Sequence, residues 1–277
     1  MDLIHTAEKL AGRLGKEATI AFVPTMGNLH AGHLSLVKIA REKARCVVAS
    51  VFVNRLQFEP GGDFDRYPRS LDNDCRMLEA AGCDVVFAPD ERELYPEPQE
   101  ILVTPPKSAQ QLCGEFRPGH FAGVTTVVTK LFHIVRPQVA VFGMKDYQQL
   151  HVIRTLVRQL NFPIEIVGAP TLRETDGLAM SSRNGYLSKE ERAQAVQLSQ
   201  CLARLKKAIE GGQKDHEALT RAAEESLRGA GWKVDYVALR ARATLASPLP
   251  ADKELVVLGA AWLGRTRLID NIEIAAP

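Results

Sequence analysis

Residues 18–36 read ATIAFVPTMGNLHAGHLSL. An apolar, β-branched run at 18–23 gives way to two glycines, Gly27 and Gly32, and then to an apolar-periodic segment that opens on His30 and His33. The order strand, glycine-bearing turn, helix start predicts an anion site. Glycine lacks the Cβ that would keep a ligand away from the backbone, and unpaired N–H groups at the positive end of a helix dipole favour negative charge. Three residues apart on a helix, His30 and His33 share a face with Cβ atoms about 5–6 Å apart, so two donors would point at one phosphate chain. An HxxH pair by itself serves structure or metal as well. Zinc is disfavoured, because HExxH is absent and a helix N-terminus repels cations. Neither GxxxxGK[ST] nor GxGxxG occurs, which excludes an ordinary P-loop or dinucleotide-binding loop.

Outward from that stretch, short apolar runs at 18–23, 47–53, 85–88, 139–142 and 164–167 alternate with helix-like segments at 34–44, 71–81, 124–135 and 150–160. Nearly continuous apolar strands alternating with helices predict an α/β fold, a Rossmann-like doubly wound parallel sheet covered on both faces. Ligands in such sheets sit beyond the carboxyl ends of the strands, where His30, Asn54 and Lys145 fall. The character changes after Pro170. A stretch without period, 170–186, leads to Ser188-Lys189-Glu190-Glu191, a capping box, then to amphipathic helices reaching about 228 and strands at 233–239, 255–259 and 266–272. These predict a second, smaller α+β C-terminal domain serving as a lid, with the chain divided into 1–172 and 173–277. The loop at 170–186 is expected to be mobile until a ligand orders it.

A chain of 277 residues, 45% hydrophobic, can bury a substantial core, which argues against disorder. With 35 basic and 33 acidic residues the net charge is only +2, too little for a general grip on nucleic acid. Cys46, Cys75, Cys83, Cys113 and Cys201 are odd in number, lack CxxC spacing, and read as reduced thiols of a cytoplasmic protein. No run of 18 apolar residues exists, and Asp2, Glu8, Lys9 and Arg13 interrupt the first 15 residues, so neither export nor a membrane partner is expected.

A second cluster, Met180-Ser181-Ser182-Arg183-Asn184-Gly185, offers hydroxyls and a planar guanidinium fork suited to phosphate oxygens. Taken alone it reads more readily as a solvated Asn-Gly turn. Lys145-Asp146-Tyr147-Gln148-Gln149 follows a strand and begins a helix. Asp146 and Gln149 have capping-box spacing, a structural account, whereas a lysine at a strand's carboxyl end beside a helix N-terminus is best explained by phosphate. Arg117 and His120 in RPGHF read either as functional groups or as a surface charge and a packed histidine.

HAGH early and MSSR late resemble the paired HIGH and KMSKS motifs of the nucleotidyltransferase superfamily. PTMGNLHAGH, FVNRLQF, YPRS, RPGHFAGV, FGMKDYQQL, GLAMSSRNGYLS and AAWLGRTRLIDN then follow in the order of one member. From about residue 21 to 274 the chain is similar to the pantoate–β-alanine ligase family. The resemblance implies that pantoate carboxylate attacks the α-phosphorus of Mg-ATP, giving pantoyl adenylate and pyrophosphate, and that the β-alanine amine then attacks the acyl carbon, releasing pantothenate and AMP. It implies ATP contacts from Met26, Gly27, Asn28, Leu29, His30, Ala31, Gly32 and His33, from Gly143, Met144, Lys145 and Asp146, and from Leu172, Met180, Ser181, Ser182 and Arg183. Catalytic contributions fall to His30, His33, Lys145 and Arg183. Pantoate and β-alanine fall to Gln57 and Gln149, with Asn54, Tyr67 and Arg117 as further candidates. Mg²⁺ would be held mainly through ATP phosphates, without a metal site of the protein's own, and the assembly would be a homodimer.

Two positions depart from the family's pattern. Arg55 stands where proline is common, which gives up a fixed φ angle near Asn54 and Gln57, and Met144 stands where Glu or Gln is common. His5, His133, His151 and His216 match no motif and read as structural or exposed. Rival readings are an adenylyltransferase of the same superfamily, which would release no AMP, and a protein that binds nucleotide without turnover. A small aminoacyl-tRNA synthetase is disfavoured by the near-neutral charge.

Overall fold

The computed structural model describes residues 1–59, 61–62 and 64–277. Six parallel strands, β1 (Asp2–Ile4), β2 (Ile20–Thr25), β3 (Cys46–Val51), β4 (Val85–Phe87), β5 (Val139–Gly143) and β6 (Glu165–Ala169), lie in the order β1-β4-β3-β2-β5-β6. Among the described residues, seven α-helices accompany them: α1 (Ala7–Leu14), α2 (Ala31–Lys43), α3 (Leu71–Ala80), α4 (Glu91–Leu94), α5 (Cys113–Phe116), α6 (His120–Val135) and α7 (Tyr147–Gln159). Alternation along β2 explains the two layers. Phe22 points into a core with Val48, Phe87, Phe132 and Ile153, while its neighbours Ala21 and Val23 face Val37 and Ala40 of α2. From β2 the chain winds outward through β3 and β4, then returns to place β5 on the other side of β2. The crevice between the carboxyl ends of β2 and β5 is therefore the switch point at which such sheets take ligands.

The C-terminal part is an antiparallel sheet of β7 (Lys233–Ala241), β8 (Glu254–Leu263) and β9 (Thr266–Ala275), covered by α8 (Lys189–Glu210) and α9 (His216–Gly229). The expected capping box opens α8: the Glu191 N–H donates to Ser188 Oγ at 3.2 Å and the Ser188 N–H to the Glu191 carboxylate at 2.8 Å. Gly259 lets α8 lie close, since a Cβ there would come within 3.0 Å of Leu198. The other face packs on the parallel-sheet domain. Ala238, Val256 and Leu258 meet Leu112 and Tyr147, and the Tyr147 hydroxyl donates to Glu273 at 2.8 Å.

Three expectations need correction. Residues 1–17, to which no element was assigned, form β1 and α1, the strand too short at three residues to leave a period. Helix α6 begins at His120, four residues before its apolar run, because Gly119 turns the chain with φ +81°. Third, the stretch at 170–186 is not an irregular loop. Arg173 and Ala179 pair as a bridge, Glu174 N–H donates to Leu178 O at 2.8 Å, and Met180 N–H donates to Leu172 O at 3.0 Å. One tie to the rest of the fold is Arg173, which makes a bidentate pair with Asp270 of β9 at 2.8 and 2.9 Å. Contacts made 97 residues away leave no local period.

All five cysteines are unpaired thiols, and Cys46, Cys83 and Cys201 are buried. Among the described residues, no helix is long and apolar enough to cross a membrane.

Candidate active site

The turn after β2 is held from beneath. Gly27 takes φ +82° and Asn28 φ +51°, and the N–H groups of Asn28 and Leu29 both donate at 2.9 Å to the fully buried carboxylate of Asp74. A Cβ on Gly27 would sit 3.0 Å from that carboxylate and from Val51. Ser70 Oγ donates to Asp74 at 3.2 Å, which accounts for the serine of YPRS. Asp74 itself was missed, because in sequence it is one acid among several on an amphipathic helix.

Helix α2 then opens with a capping box made of imidazoles. His30 Nδ1 accepts from the Gly32 N–H at 3.1 Å, and His33 Nδ1 accepts from the His30 N–H at 3.3 Å. An accepting Nδ1 carries no proton, so both rings are Nε2–H tautomers. Gly32 makes this possible, for its Cβ would lie 2.8 Å from the His30 ring. The rings stand 4.1 Å apart. Burial, then the Lys145 charge, pushes His30 down to about 4; burial, then the neighbouring His30, pushes His33 down to about 3. Both are neutral donors at pH 7. Because the Gly32 amide is already used, the imidazole Nε2–H groups, more than bare helix N–H groups, are what the end of α2 presents.

Lys145 lies in the turn after β5, with Nζ 4.0 Å from the Asp146 carboxylate. Asp146 starts α7 without capping it, so the capping-box account of Asp146 and Gln149 is overturned. Surrounding protein partly desolvates the half-exposed Asp146 carboxyl and raises it, but Lys145, Arg183, His120 and Arg117 outweigh this and hold the group below its ordinary range. Ser181 Oγ accepts from the Arg183 N–H at 3.2 Å, shaping the turn that carries Ser182 and Arg183.

The opposite wall is built from amides. Gln57 Oε1 accepts from Asn54 Nδ2 at 3.1 Å, leaving its Nε2 toward Met26 Sδ at 3.0 Å. Asn54 is buried and committed elsewhere: Tyr95 donates to its oxygen at 2.8 Å and its nitrogen reaches Gly123 O at 3.1 Å. RPGHFAGV gains a meaning here. His120 Nδ1–H donates to the Gln57 carbonyl at 2.9 Å and Nε2 accepts from Arg117 at 3.2 Å, so this ring carries the opposite tautomer. Burial, then Arg117, pushes it down to about 3. A Cβ on Gly123 would fall 2.3 Å from Leu56 O, so that glycine lets α6 pack on the Gln57 turn. Tyr67 is buried, edge-to-face with Phe58 at 5.7 Å. Where proline is common, Arg55 instead pairs with Glu91 at 2.9 Å and lies 4.0 Å over the Phe64 ring.

One pocket of about 220 Å³ gathers Met26, His30, Gly32, His33, Asn54, Gln57, Tyr67, Arg117, Gly143, Lys145, Asp146, Gln149, Leu172, Met180, Ser181, Ser182 and Arg183. It adjoins a cavity of about 680 Å³ between the domains, which shares Arg117, Lys145, Asp146, Gln149, Ser181 and Arg183. Gly27, Asn28, Leu29, Ala31 and Met144 do not line it; they form the supporting turns. Sequence reasoning also missed Asn271, whose side chain donates at 2.9 Å to both the Met144 and the Lys145 carbonyls. Among the described residues, no group of three or more His, Cys, Asp or Glu stands ready to hold a metal.

Known proteins resemble the chain over its whole length. The model of the pantoate-beta-alanine ligase family matches residues 2–273. A pantothenate synthetase of Nitrosospira multiformis is 57% identical over 274 residues, 99% of this chain and 98% of its own. The crystal structure of pantothenate synthetase from Thermus thermophilus superposes with a TM-score of 0.94 at 46% identity, covering 99% of this chain and 100% of that one. Pantoate-beta-alanine ligase from Francisella tularensis, solved with β,γ-ATP and β-alanine, superposes with a TM-score of 0.81 at 33% identity, covering 98% and 97%.

Proposed function

The chain belongs to the pantoate-beta-alanine ligase family and joins pantoate to β-alanine with ATP, and from that premise we propose how its residues divide the work. What carries the proposal is one pocket that opposes neutral amides to a cluster of phosphate donors. Gln57 and Gln149 hold pantoate without neutralising the carboxylate that must attack; Tyr67 and Arg117 complete that end, and Asn54 aims Gln57. The Nε2–H groups of His30 and His33, with Lys145, Ser181, Ser182 and Arg183, hold the triphosphate and stabilise charge as pyrophosphate departs.

The attack of pantoate on the α-phosphorus forms pantoyl adenylate. The β-alanine amine then displaces AMP at the acyl carbon. Neither step requires a nucleophile from the protein, so positioning and charge stabilisation carry the chemistry. Asp146 is the carboxylate among the described pocket-lining residues, which suits a Mg²⁺ ion held chiefly by phosphate oxygens and water. When bound, that ion neutralises phosphate charge. Residues 173–277 act as a lid that keeps water from the adenylate. A cytoplasmic setting agrees with the unpaired thiols, and the assembly is a homodimer, testable by sedimentation.

Product analysis with ATP, pantoate and β-alanine, omitting each in turn, tests the reading. Pantothenate, AMP and pyrophosphate should appear together, and without β-alanine one equivalent of pyrophosphate per site should still form. A nucleotidylated product without AMP would point to an adenylyltransferase instead.

A further inference from the structure

The two segments that carry the phosphate-binding groups belong to different parts of the chain, yet both hang on two consecutive residues of β9. Asn271 is nearly buried, and its side-chain nitrogen donates at 2.9 Å to the carbonyls of Met144 and of Lys145. Those carbonyls belong to the turn that aims the Lys145 ammonium. Asp270, also nearly buried, accepts both arms of Arg173 at 2.8 and 2.9 Å and takes the Asn271 N–H at 2.8 Å. Arg173 in turn donates to Gly177 O at 3.0 Å and pairs through its backbone with Ala179, two residues before Ser181. Successive side chains of a strand leave on opposite sides. One dipeptide therefore reaches the Lys145 turn on one side and the hairpin leading to Ser181 and Arg183 on the other.

We propose that Asn271 is a positioning residue for adenylate formation: it fixes the Lys145 turn to the sheet that also fixes Arg183, and so sets the spacing of the two cations along the triphosphate. The assignment rests on the reading of the site as a pantoate-activating one. An asparagine suits the task, because both of its amide N–H groups are used and no charge is added beside the phosphates. A misplacement on the order of 1 Å is enough to cost about a hundredfold in rate, so holding the turn by two bonds matters even though Asn271 never touches substrate.

Three substitutions remove the donors by degrees. Asn271→Ser keeps one donor at shorter reach, Asn271→Ala keeps none, and Asn271→Asp keeps the shape but turns lone pairs toward two carbonyl oxygens. Each is assayed in single turnover for pyrophosphate release from ATP and pantoate, and separately for pantothenate release from preformed pantoyl adenylate and β-alanine, per folded molecule as counted by thermal melting. Tyr147→Phe, which loses a different bond to β9 from the helix start just after that turn and leaves both Asn271 bonds in place, serves as the control. Adenylate formation is expected to slow by about 10- to 100-fold in Asn271→Ala and Asn271→Asp, less in Asn271→Ser. The second half-reaction should change far less, and Tyr147→Phe should keep both rates.

Equal losses in both halves, or a loss matched by Tyr147→Phe, would mean that Asn271 merely holds the domains together and would overturn the proposal. So would normal adenylate formation in all three variants. If the unmodified protein itself released no pyrophosphate with pantoate and ATP, the functional reading would fail rather than the role of Asn271. Should Asn271→Ala not fold, Asn271→Ser and Asn271→Asp decide the matter.

Discussion

The start of α2 and the hairpin at 172–180 both line the same pocket, but they are built in opposite ways. At α2 the two histidines position each other: each ring caps a backbone N–H within three residues, and Gly32 leaves room for the ring that crosses it. Only Asp74, beneath the preceding turn, is brought from afar. The hairpin is shaped from a distance, its arginine locked to Asp270 and its Asp176 paired with Arg192 at 2.6 Å. The site is thus half self-assembled at the carboxyl ends of the parallel strands and half imported, held by contacts with the C-terminal sheet and helix α8.

The strongest test of this division removes the groups themselves. Lys145→Ala and His33→Ala should form adenylate about 10²–10³-fold more slowly, the usual effect of losing one preorganised charge-stabilising donor, while remaining folded. Given preformed pantoyl adenylate and β-alanine, they should release pantothenate at a rate far closer to that of the unmodified enzyme. Equal losses in the two halves would show that these residues chiefly hold the adenylate, and a normal first half would remove them from the catalytic list.

Next in size comes the imported half. Arg173→Ala leaves the Asp270 carboxylate nearly buried and unpaired. Breaking such a pair costs about 3 kcal/mol, the low end of the range because Arg173 is partly exposed. Proteolysis between 172 and 186 should become fast without ligand and slow again with saturating ATP and pantoate. In the unmodified chain the tied hairpin should resist cleavage in both conditions, an outcome opposite to that of a free loop. Cleavage as slow in Arg173→Ala as in the unmodified chain would mean that the Asp270 tie does not hold the hairpin.

The sequence makes these two halves unequally legible. Parallel strands, the switch point and the α2 start were readable because their determinants are periodic or adjacent: alternating Ala21, Phe22 and Val23, and the spacing of Gly32 between two histidines. The capping box at Ser188 was readable for the same reason. Asp74, Asp270 and Asn271 were not, since an acid on an amphipathic helix or an Asp-Asn pair late in a strand has no local mark of what it will meet across the fold. RPGHFAGV lay between, visible as a motif but explained only by the Gln57 backbone against which Arg117, His120 and Gly123 pack.

Gly32→Ala probes the self-assembled half more gently. The new methyl would meet the His30 ring at 2.8 Å, so the ring must swing away and its Nε2–H leave the place where we propose it meets phosphate. Losing the cap costs roughly 1 kcal/mol, while alanine gains up to about 1 kcal/mol of helix propensity over glycine. The melting temperature should hardly move. Adenylate formation should fall by about tenfold, within the usual reach of a displaced donor. A large loss of stability, or an unchanged rate, would show that the ring is not held by this contact.

The last prediction expects no loss of rate and concerns protons. His30 and His33 accept at Nδ1 and His120 donates from Nδ1, so nitrogen chemical shifts of the ligand-free protein should give Nε2–H for the first two and Nδ1–H for the third. Their folded values, about 4, 3 and 3, lie below the ordinary histidine range near 6.5. Between about pH 6.5 and those values the unfolded chain binds protons that the native protein refuses, so stability falls as pH falls through that window and levels off above it with respect to these groups. Replacing His120 by Gln should flatten the acid slope of the melting curve, because one refused proton disappears. An unchanged slope, or a His30 or His33 ring that gains its proton near pH 6.5, would mean that the imidazole capping box opens in solution. The self-assembled half of the site would then need its ligand as much as the imported half does.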